Sequence, residues 1–345
     1  MESQRFSGGT PTSTATVAAD ADAEQAAEVV DAAVEDSDLA ELAQAAREFA
    51  NESRASGTRA TYAKHWRAFV AWCDKRSLVA LPAAPKTVAL YLAARAKQQR
   101  RPATLSVTLS AIASEHEVAA LASPCNEPLV AETWKGIRRR LGTAPKKKEP
   151  LTTKELRSMM DALPSGLMGQ RDRALLLLGF AGGFRRSELV ALNTADLTFV
   201  REGLEVFVAV SKTDQERKGR TKVVAFGSDP ATCPVRATKD WLELAGVTEG
   251  PLLRPINRHE QLSPKRLTGH AVAVIVKRTA SRAGLPTPEL SGHSLRAGFV
   301  TEAAKNGADY PAIMDQTGHE SLTTVHGYNR RKKKWEKPAS AKLGL

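Results

Sequence analysis

Apolar side chains in the first third of the chain recur every three or four residues, the spacing of an amphipathic helix. The clearest stripe starts after Thr58 and contains Tyr62, Trp66, Phe69 and Cys73. Its aromatic side chains share one helix face, which favours a packed core over a base-stacking surface. The stripe therefore predicts a helix that buries one face inside a small domain.

The same spacing predicts further helices on both sides of this stripe. They are expected over residues 88–96, 104–118 and 131–141, with prolines between them. An earlier helix is expected to begin near Asp38, which forms a capping-box pattern with Glu41. Together these segments predict an all-helical domain over residues 38–142.

The second half of the chain opens with helical patterns of its own. Thr152, followed by Glu155, is typical of a capped helix start. A long apolar pattern over 171–192 is then interrupted by Gly182 and Gly183. Helical spacing returns later at residues 233–245, 264–284, 294–306 and 309–316.

Between these helices the period changes to two. Apolar residues alternate over 196–226, which predicts a small antiparallel sheet with a polar turn over 213–220 before its last strand. The fold class expected is mainly α with a small antiparallel β-sheet. The predicted segments are an acidic disordered tail over 1–37, a helical domain over 38–142, a basic linker over 143–150, an α+β domain over 151–330 and a basic C-terminal tail over 331–345.

The distribution of charge along the chain indicates which class of molecule the protein binds. The net charge of +12 is uneven, because the first 50 residues contain eleven acidic and two basic residues. The remaining body is strongly basic, as expected for a protein that binds a polyanion such as nucleic acid. The longest apolar run covers 11 residues, too short to span a bilayer, and no signal peptide is apparent, so we expect a cytoplasmic, nucleoid-associated protein. Three scattered cysteines favour neither a disulfide framework nor a zinc site.

The predicted linker is a candidate DNA contact. Lys146, Lys147 and Lys148 lie between two prolines with no apolar residue among them. Solubility is the competing explanation for the lysines, and the acidic tail is interpreted as solvated rather than as a competitor of DNA.

A set of short motifs in the second half of the chain indicates a specific chemistry. It contains two arginines, a lysine, two histidines and a tyrosine. They are Arg185 in Gly-Phe-Arg-Arg-Ser-Glu-Leu, Lys212 in Val-Ser-Lys-Thr, His293 and Arg296 in Ser-Gly-His-Ser-Leu-Arg, His319 in Thr-Gly-His-Glu, and Tyr328 in His-Gly-Tyr-Asn-Arg. These are the groups that cleavage of a phosphodiester by a tyrosine would need without a metal.

The order and spacing of these motifs resemble the tyrosine recombinase (phage integrase) family. The segment Ser-Gly-His-Ser-Leu-Arg-Ala-Gly and the following Ala-x-x-Gly-Ala-x-Tyr-Pro-Ala-Ile-Met are similar to its Cre-like branch. The resemblance covers residues 40–330, by motif in the second half and by pattern alone in the first. It implies an N-terminal helical core-binding domain followed by an α+β catalytic domain. It also implies that the linker between them runs beside the duplex. We therefore assign Lys146, Lys147 and Lys148, with Arg138 and Arg139 of the preceding helix, to DNA binding.

The resemblance also implies a role for each matching residue. Tyr328, nine residues after His319, resembles the nucleophile. Arg185 and Arg296 resemble the two phosphate-clamping arginines. His293, three residues before Arg296, resembles a base or hydrogen-bond partner near the nucleophile. His319 resembles an additional donor to the phosphate.

Two further roles are implied with more alternatives. Glu188 resembles a supporting carboxylate that pairs with a neighbouring basic group. Lys212 resembles the general acid for the leaving oxygen, and Lys218, Arg220 and Lys222 compete for this role because they lie in the same hairpin.

The expected function is site-specific recombination of double-stranded DNA through a 3′-phosphotyrosyl intermediate. The resemblance implies no metal, no ATP and no other cofactor, and a homotetramer on DNA with a dimer at each site. Accessory DNA-bending proteins, exchange of the C-terminal tail between subunits, the target sequence and the direction of recombination stay open.

Two other functions compete with this interpretation. A type IB topoisomerase uses similar chemistry but relaxes DNA as a monomer without a particular site. A DNA-binding protein without catalysis would be indicated by loss of a core residue, and all six positions are filled. Binding of RNA is less favoured, because no aromatic stacking motif is apparent.

Overall fold

The computed structural model of the protein describes residues 39, 41–42, 44–45, 55–144, 149–209 and 219–323. The chain divides into two compact units, Met1–Pro145 and Lys146–Leu345. The division falls inside the predicted linker. Asp38, proposed as the first helix cap, lies outside the described residues, whereas Leu39 and Glu41 are helical.

The first unit is helical, as predicted. Its helices are α1 (Ser56–Asp74), α2 (Pro85–Lys97), α3 (Pro102–Val118) and α4 (Pro128–Leu141). Proline opens three of the four, because its fixed φ suits the first helical position and its missing N–H has no partner to lose there. The same prolines explain why these helices start two or three residues before the predicted boundaries.

The aromatic stripe of α1 packs into the core of this unit. Phe69 and Tyr91 are buried, with ring centroids 5.1 Å apart in an edge-to-face arrangement. Trp66 packs against Phe69 at 5.6 Å. Aromatic pairs of this kind add about 0.5–1.5 kcal/mol beyond the burial of their surface. The interpretation of the stripe as core is confirmed.

The second unit contains helices around a three-stranded sheet. Its elements are α5 (Thr153–Asp161), α6 (Leu167–Ala181), α7 (Arg186–Ala191), β1 (Leu197–Val200), β2 (Gly203–Val208), β3 (Arg220–Ala225), α8 (Pro234–Ala245), α9 (Gly269–Arg282), α10 (Gly292–Lys305) and α11 (Tyr310–Thr317). The predicted fold class, mainly α with a small antiparallel sheet, is confirmed.

Most of the helix starts and ends predicted for this unit agree with the structure. Thr152 and Glu155 form the predicted capping box, and the long apolar pattern ends as α6 where Gly182 and Gly183 follow. The helix predicted from residue 264 begins only at Gly269, because Thr268 caps it by accepting a hydrogen bond from the Ala271 N–H at 3.2 Å.

The sheet has the order β1-β2-β3 with antiparallel pairing throughout. Its inner face is apolar: Leu204, Val206 and Val224 are buried against the core formed by α6 and α8. Lys222 pairs with Val206 in register and therefore also points inward. Most of the predicted turn over 213–220 lies outside the described residues. No helix in the described ranges is long and apolar enough to cross a membrane.

Candidate active site

Four of the six motif residues lie in the described part of the second unit. Arg185 directly precedes α7, His293 and Arg296 lie on α10, and His319 follows α11. Lys212 and Tyr328 lie outside the described residues, as do the linker residues Lys146, Lys147 and Lys148. Arg138 and Arg139 are exposed in the last turn of α4, where Arg138 stacks on Trp134 with a centroid distance of 6.0 Å.

Glu188 is the buried acidic centre of the site. Its Oε1 accepts a hydrogen bond from Nη1 of Arg185 at 2.7 Å, and its Oε2 accepts one from the Arg185 backbone N–H at 3.0 Å. Burial by itself raises the pKa of Glu188, but the charges of Lys222 and Arg185 and the hydrogen bonds from Arg185 lower it overall. The carboxylate is therefore ionised and fixes the orientation of the Arg185 guanidinium.

Arg296 is held from a different side of the same turn. Its side chain is buried, and its Nη1 donates to the carbonyl oxygen of Gly183 at 2.8 Å. The Gly183 backbone has a φ of +56°, a conformation that favours glycine, and a Cβ there would contact Phe299. The break after α6 thus serves the site, because it aims a carbonyl oxygen at Arg296.

The loop after α11 joins the two arginines. Nη2 of Arg185 donates to the carbonyl oxygen of Gly318 at 3.0 Å, and Nη2 of Arg296 lies 3.0 Å from Nε2 of His319. The predicted clamp residues from α7 and α10 are therefore brought to one loop, although they are 111 residues apart in the chain.

Arg220 is a third guanidinium in this arrangement. It lies at the start of β3, and its Nη2 donates to the carbonyl oxygen of Thr317 at 3.0 Å and lies 3.6 Å from Oε1 of Glu188. Gly318 permits this approach, because a Cβ there would lie 1.7 Å from Nη1 of Arg220. The sequence indicates Arg220 only as an alternative to Lys212. In the structure, Arg220 lies next to both Glu188 and the loop that carries His319.

Lys222 is the other basic residue that sequence reasoning underrated. Its Nζ donates to the carbonyl oxygen of Gly182 at 3.1 Å, lies 3.3 Å from Oε2 of Glu188, and lies 4.4 Å from the ring centroid of Phe184. The side chain is 1% exposed. The sequence contains one signal for this position. Lys222 lies on the same face of the alternating strand as Val224, which is buried, so its side chain points inward.

The two histidines differ in environment. Burial, followed by the charges of Arg296 and Arg185, lowers the pKa of His319 to about 4, so its ring is neutral at neutral pH. His293 has an exposed side chain one turn before Arg296. Partial desolvation and then the charge of Arg296 lower the pKa of His293 as well.

These contacts leave the site with an excess of positive charge. Within the part of the chain that the structure describes, three guanidinium groups and one amine lie around one carboxylate, that of Glu188. Cations held close together repel one another, and an anion that joined them would relieve this repulsion. Guanidinium groups in fixed positions suit phosphate oxygens particularly well. We therefore interpret the arrangement as a candidate phosphate site.

We expect the free energy of unfolding of the wild type, minus that of Lys222→Met, to increase with pH from about 7 to 10.5. Burial lowers the pKa of Lys222 from 10.5 to about 7, so in this window the unfolded chain binds a proton that the folded chain does not. The contribution of the amine is complete above pH 10.5 and is lost as the pH falls through about 7. Urea unfolding of both proteins across this range measures the difference.

Lys239→Met is the matched control, because Lys239 is a largely exposed lysine on α8. Its substitution should change the free energy of unfolding by less than about 0.5 kcal/mol, as is usual for an exposed side chain. A flat or falling difference for Lys222→Met would show that the buried amine does not titrate in this environment.

Comparisons with known proteins identify the family. Residues 149–334 match the phage integrase family. An integrase/recombinase described as a XerD homologue from Selenomonas ruminantium is 38% identical over 281 residues, covering 80% of this chain and 82% of the relative. The tyrosine recombinase XerD of Pseudomonas putida is 30% identical over 276 residues, covering 79% and 85%.

A solved structure shares the fold. The crystal structure of a lambda integrase(75-356) dimer bound to a COC′ core site aligns with a TM-score of 0.58 at 19% identity. The alignment covers 86% of this chain and 96% of that one. At this identity the likeness concerns the fold alone. The finer resemblance to the Cre-like branch stays a prediction.

Proposed function

Because the chain belongs to the phage integrase family of tyrosine recombinases, we propose that it cleaves and rejoins DNA at specific sites through a 3′-phosphotyrosyl intermediate. The observation that carries the proposal is the pair of Arg185, which is partly buried, and Arg296, which is buried, held by Glu188, Gly183 and the loop after α11. This arrangement presents guanidinium groups to one anion without reorganisation. The transition state of phosphoryl transfer has its charge on nonbridging oxygens, which these groups are suited to stabilise.

The covalent step is assigned from the motif order rather than from described geometry. The Tyr328 hydroxyl attacks the phosphorus, and the bond between phosphorus and the 5′ oxygen breaks. His293 takes the tyrosine proton and Lys212 gives a proton to the leaving oxygen. The 5′-hydroxyl of another strand then reverses the step, so the bond energy is conserved and no ATP is consumed. We expect no metal ion or other cofactor to take part.

Lys222 is assigned a different role from Lys212. Its amine is enclosed by Gly182, Phe184 and Glu188, so it supports the turn that carries Arg185. A proton donor to a leaving oxygen must reach the DNA, whereas Lys222 is 1% exposed. This burial favours Lys212 over Lys222 as the general acid.

The partner is double-stranded DNA, bound by a homotetramer with a dimer at each site. The basic body supports DNA as partner, and phosphate contacts should dominate the affinity and make it fall steeply with salt. Arg138 and Arg139, together with the linker lysines, are proposed to contact the backbone. We place the protein in the cytoplasm with the nucleoid; accessory DNA-bending proteins are a further expectation to test.

We expect the purified protein to become covalently attached to DNA in the presence of EDTA. The substrate is a pool of fragments from the genomic neighbourhood of the gene, incubated with protein, denatured and assayed for protein-linked DNA. The account predicts an adduct at the 3′ side of the break with a free 5′-hydroxyl that a kinase can label. Bound DNA without an adduct, or attachment at the 5′ side, would contradict it.

A second assay separates recombination from relaxation. A supercoiled plasmid that lacks the trapped sequence should stay supercoiled, whereas a plasmid with two copies should recombine. Relaxation of the plasmid without a site would favour a type IB topoisomerase.

A further inference from the structure

Thr317 lies directly behind the histidine of the site and takes part in none of the assigned roles. It is the last residue of α11 and is fully buried. Its methyl group faces Gly183, where an added Cβ would lie 3.0 Å from Thr317 Cγ2. Its hydroxyl lies 2.8 Å from Nδ1 of His319. The close contact with the turn leaves this hydroxyl little rotational freedom.

The Thr317 hydroxyl donates its proton to a backbone carbonyl oxygen. Oγ1 lies 2.5 Å from the carbonyl oxygen of Ile313, a group that only accepts, so the hydroxyl donates its single proton there. Towards Nδ1 of His319 the same oxygen has only lone pairs to offer. A hydrogen bond at 2.8 Å therefore requires that Nδ1 carries the proton.

The other ring nitrogen gives the same answer independently. Nε2 of His319 lies 3.0 Å from Nη2 of Arg296. A guanidinium group donates only, so Nε2 must present a lone pair. A neutral ring with the proton on Nδ1 forms a hydrogen bond with both neighbours. In the other tautomer, the Nε2 proton would face the N–H of Arg296, and the Nδ1 lone pair would face a lone pair of the Thr317 oxygen.

We propose that Thr317 is a positioning residue that stabilises the Nδ1–H tautomer of His319, so that the neutral ring accepts from Arg296 and holds it in place before DNA binds. This rests on the proposed function for its purpose but on the DNA-free protein for its geometry. The chain Ile313–Thr317–His319–Arg296 links the last turn of α11 to a clamp guanidinium.

The assignment changes what His319 must do to reach a phosphate. In this tautomer Nε2 accepts and has no proton to donate. To act as the predicted donor, the ring must first take up a proton, which the positive surroundings oppose in the free protein. A bound phosphate adds a negative charge and opposes that effect, so proton uptake at His319 would accompany binding.

The tautomer is measured directly by ¹⁵N nuclear magnetic resonance of the histidine rings in DNA-free protein at neutral pH. A nitrogen that bears a proton differs widely in chemical shift from one that does not. The chain has seven histidines, and His319→Gln identifies the signals of interest. We expect a proton on Nδ1 in the wild type and in Thr317→Ser, which keeps the hydroxyl. Thr317→Val, of similar shape, should weaken this preference, because the Nδ1 proton then loses its acceptor and only the Arg296 contact still favours the tautomer. Thr317→Ala serves if the valine variant does not fold.

Single-turnover cleavage supplies the second readout. Thr317→Val should cleave roughly 10-fold more slowly than the wild type, since partners that orient a functional side chain typically contribute this much. Thr317→Ser should restore the rate. Adding Thr317→Val to His319→Gln should cause no further loss, because the threonine acts through the histidine.

Two outcomes of the tautomer measurement overturn the inference: a wild-type ring protonated on Nε2, or a Thr317→Val variant whose ratio of the two tautomers equals that of the wild type. An additive loss in the double variant would also overturn it, since Thr317 would then act by a purely structural route. Failure of the proposed function looks different, because the wild type would form no DNA adduct while the tautomer measurement still gives its result.

Discussion

Tyr328→Phe should form no covalent adduct with DNA while keeping its affinity for DNA nearly unchanged. The substitution keeps the ring and removes only the hydroxyl, which the account requires as the nucleophile. A free tyrosine hydroxyl has a pKa of about 10 and attacks poorly by itself, so the surrounding groups act by assisting this one atom. Denaturing gels of the trapped complex measure the adduct, and gel shifts measure the affinity.

Tyr310→Phe is the matched control. Tyr310 lies at the start of α11, within 20 residues of Tyr328 but before the Gly-His motif. It should form the adduct at a near wild-type rate. An adduct in Tyr328→Phe would remove Tyr328 from the role, and an adduct in Tyr328→Phe together with its loss in Tyr310→Phe would assign the role to Tyr310.

Arg296→Ala should lower the cleavage rate by about 10³-fold with little loss of DNA binding. Removing one preorganised donor to a developing anion typically costs about 2.7–4 kcal/mol of transition-state stabilisation. Arg296 is buried and fixed by Gly183 and His319, so no neighbouring side chain replaces it without rearrangement. Single-turnover cleavage at saturating protein isolates this effect from binding.

Arg296→Lys and Arg282→Ala sharpen this test. The lysine keeps the charge but cannot contact Gly183 and His319 together, so most of the loss should remain. Arg282 is an exposed arginine in the last turn of α9, and its removal should leave the cleavage rate unchanged. A near-normal rate for Arg296→Ala, or an equal loss for Arg282→Ala, would contradict the clamp assignment.

Local signals account for the parts of the fold that the sequence predicts. Capping by Thr152 and Glu155, and the helix break at Gly182, depend on residues within a few positions of one another. The aromatic stripe of α1 follows from helical periodicity alone. The family motifs likewise indicate Arg185, Arg296 and His319, because each retains its own short context.

The supporting residues are harder to predict because their roles depend on distant contacts. Lys222 supports the Arg185 turn only because β3 pairs with β2 and brings its inward side chain to Glu188, 34 residues earlier. Thr317 has an ordinary helical position, and its role emerges only from hydrogen bonds to Ile313 and His319. Neither residue belongs to a motif that names its partner.

The sequence also leaves donor and acceptor roles undecided. Its motif suggests that His319 donates to a phosphate, whereas its neighbours in the DNA-free protein require the lone pair of Nε2. Which nitrogen carries the proton depends on the committed hydroxyl of Thr317 and on the orientation of Arg296. Both are tertiary features that residue identities and spacing do not specify.

The central claim is that Tyr328 becomes linked to DNA, and the most direct measurement identifies the linked residue. Wild-type protein trapped on a nicked substrate in EDTA is digested with protease and nuclease, and the nucleotide-bearing peptide is sequenced by mass spectrometry. The account predicts a single modified peptide with the 3′-phosphate on Tyr328. A modified peptide centred on Tyr310, on a serine or on any other residue would contradict it, as would cleaved DNA without any modified peptide.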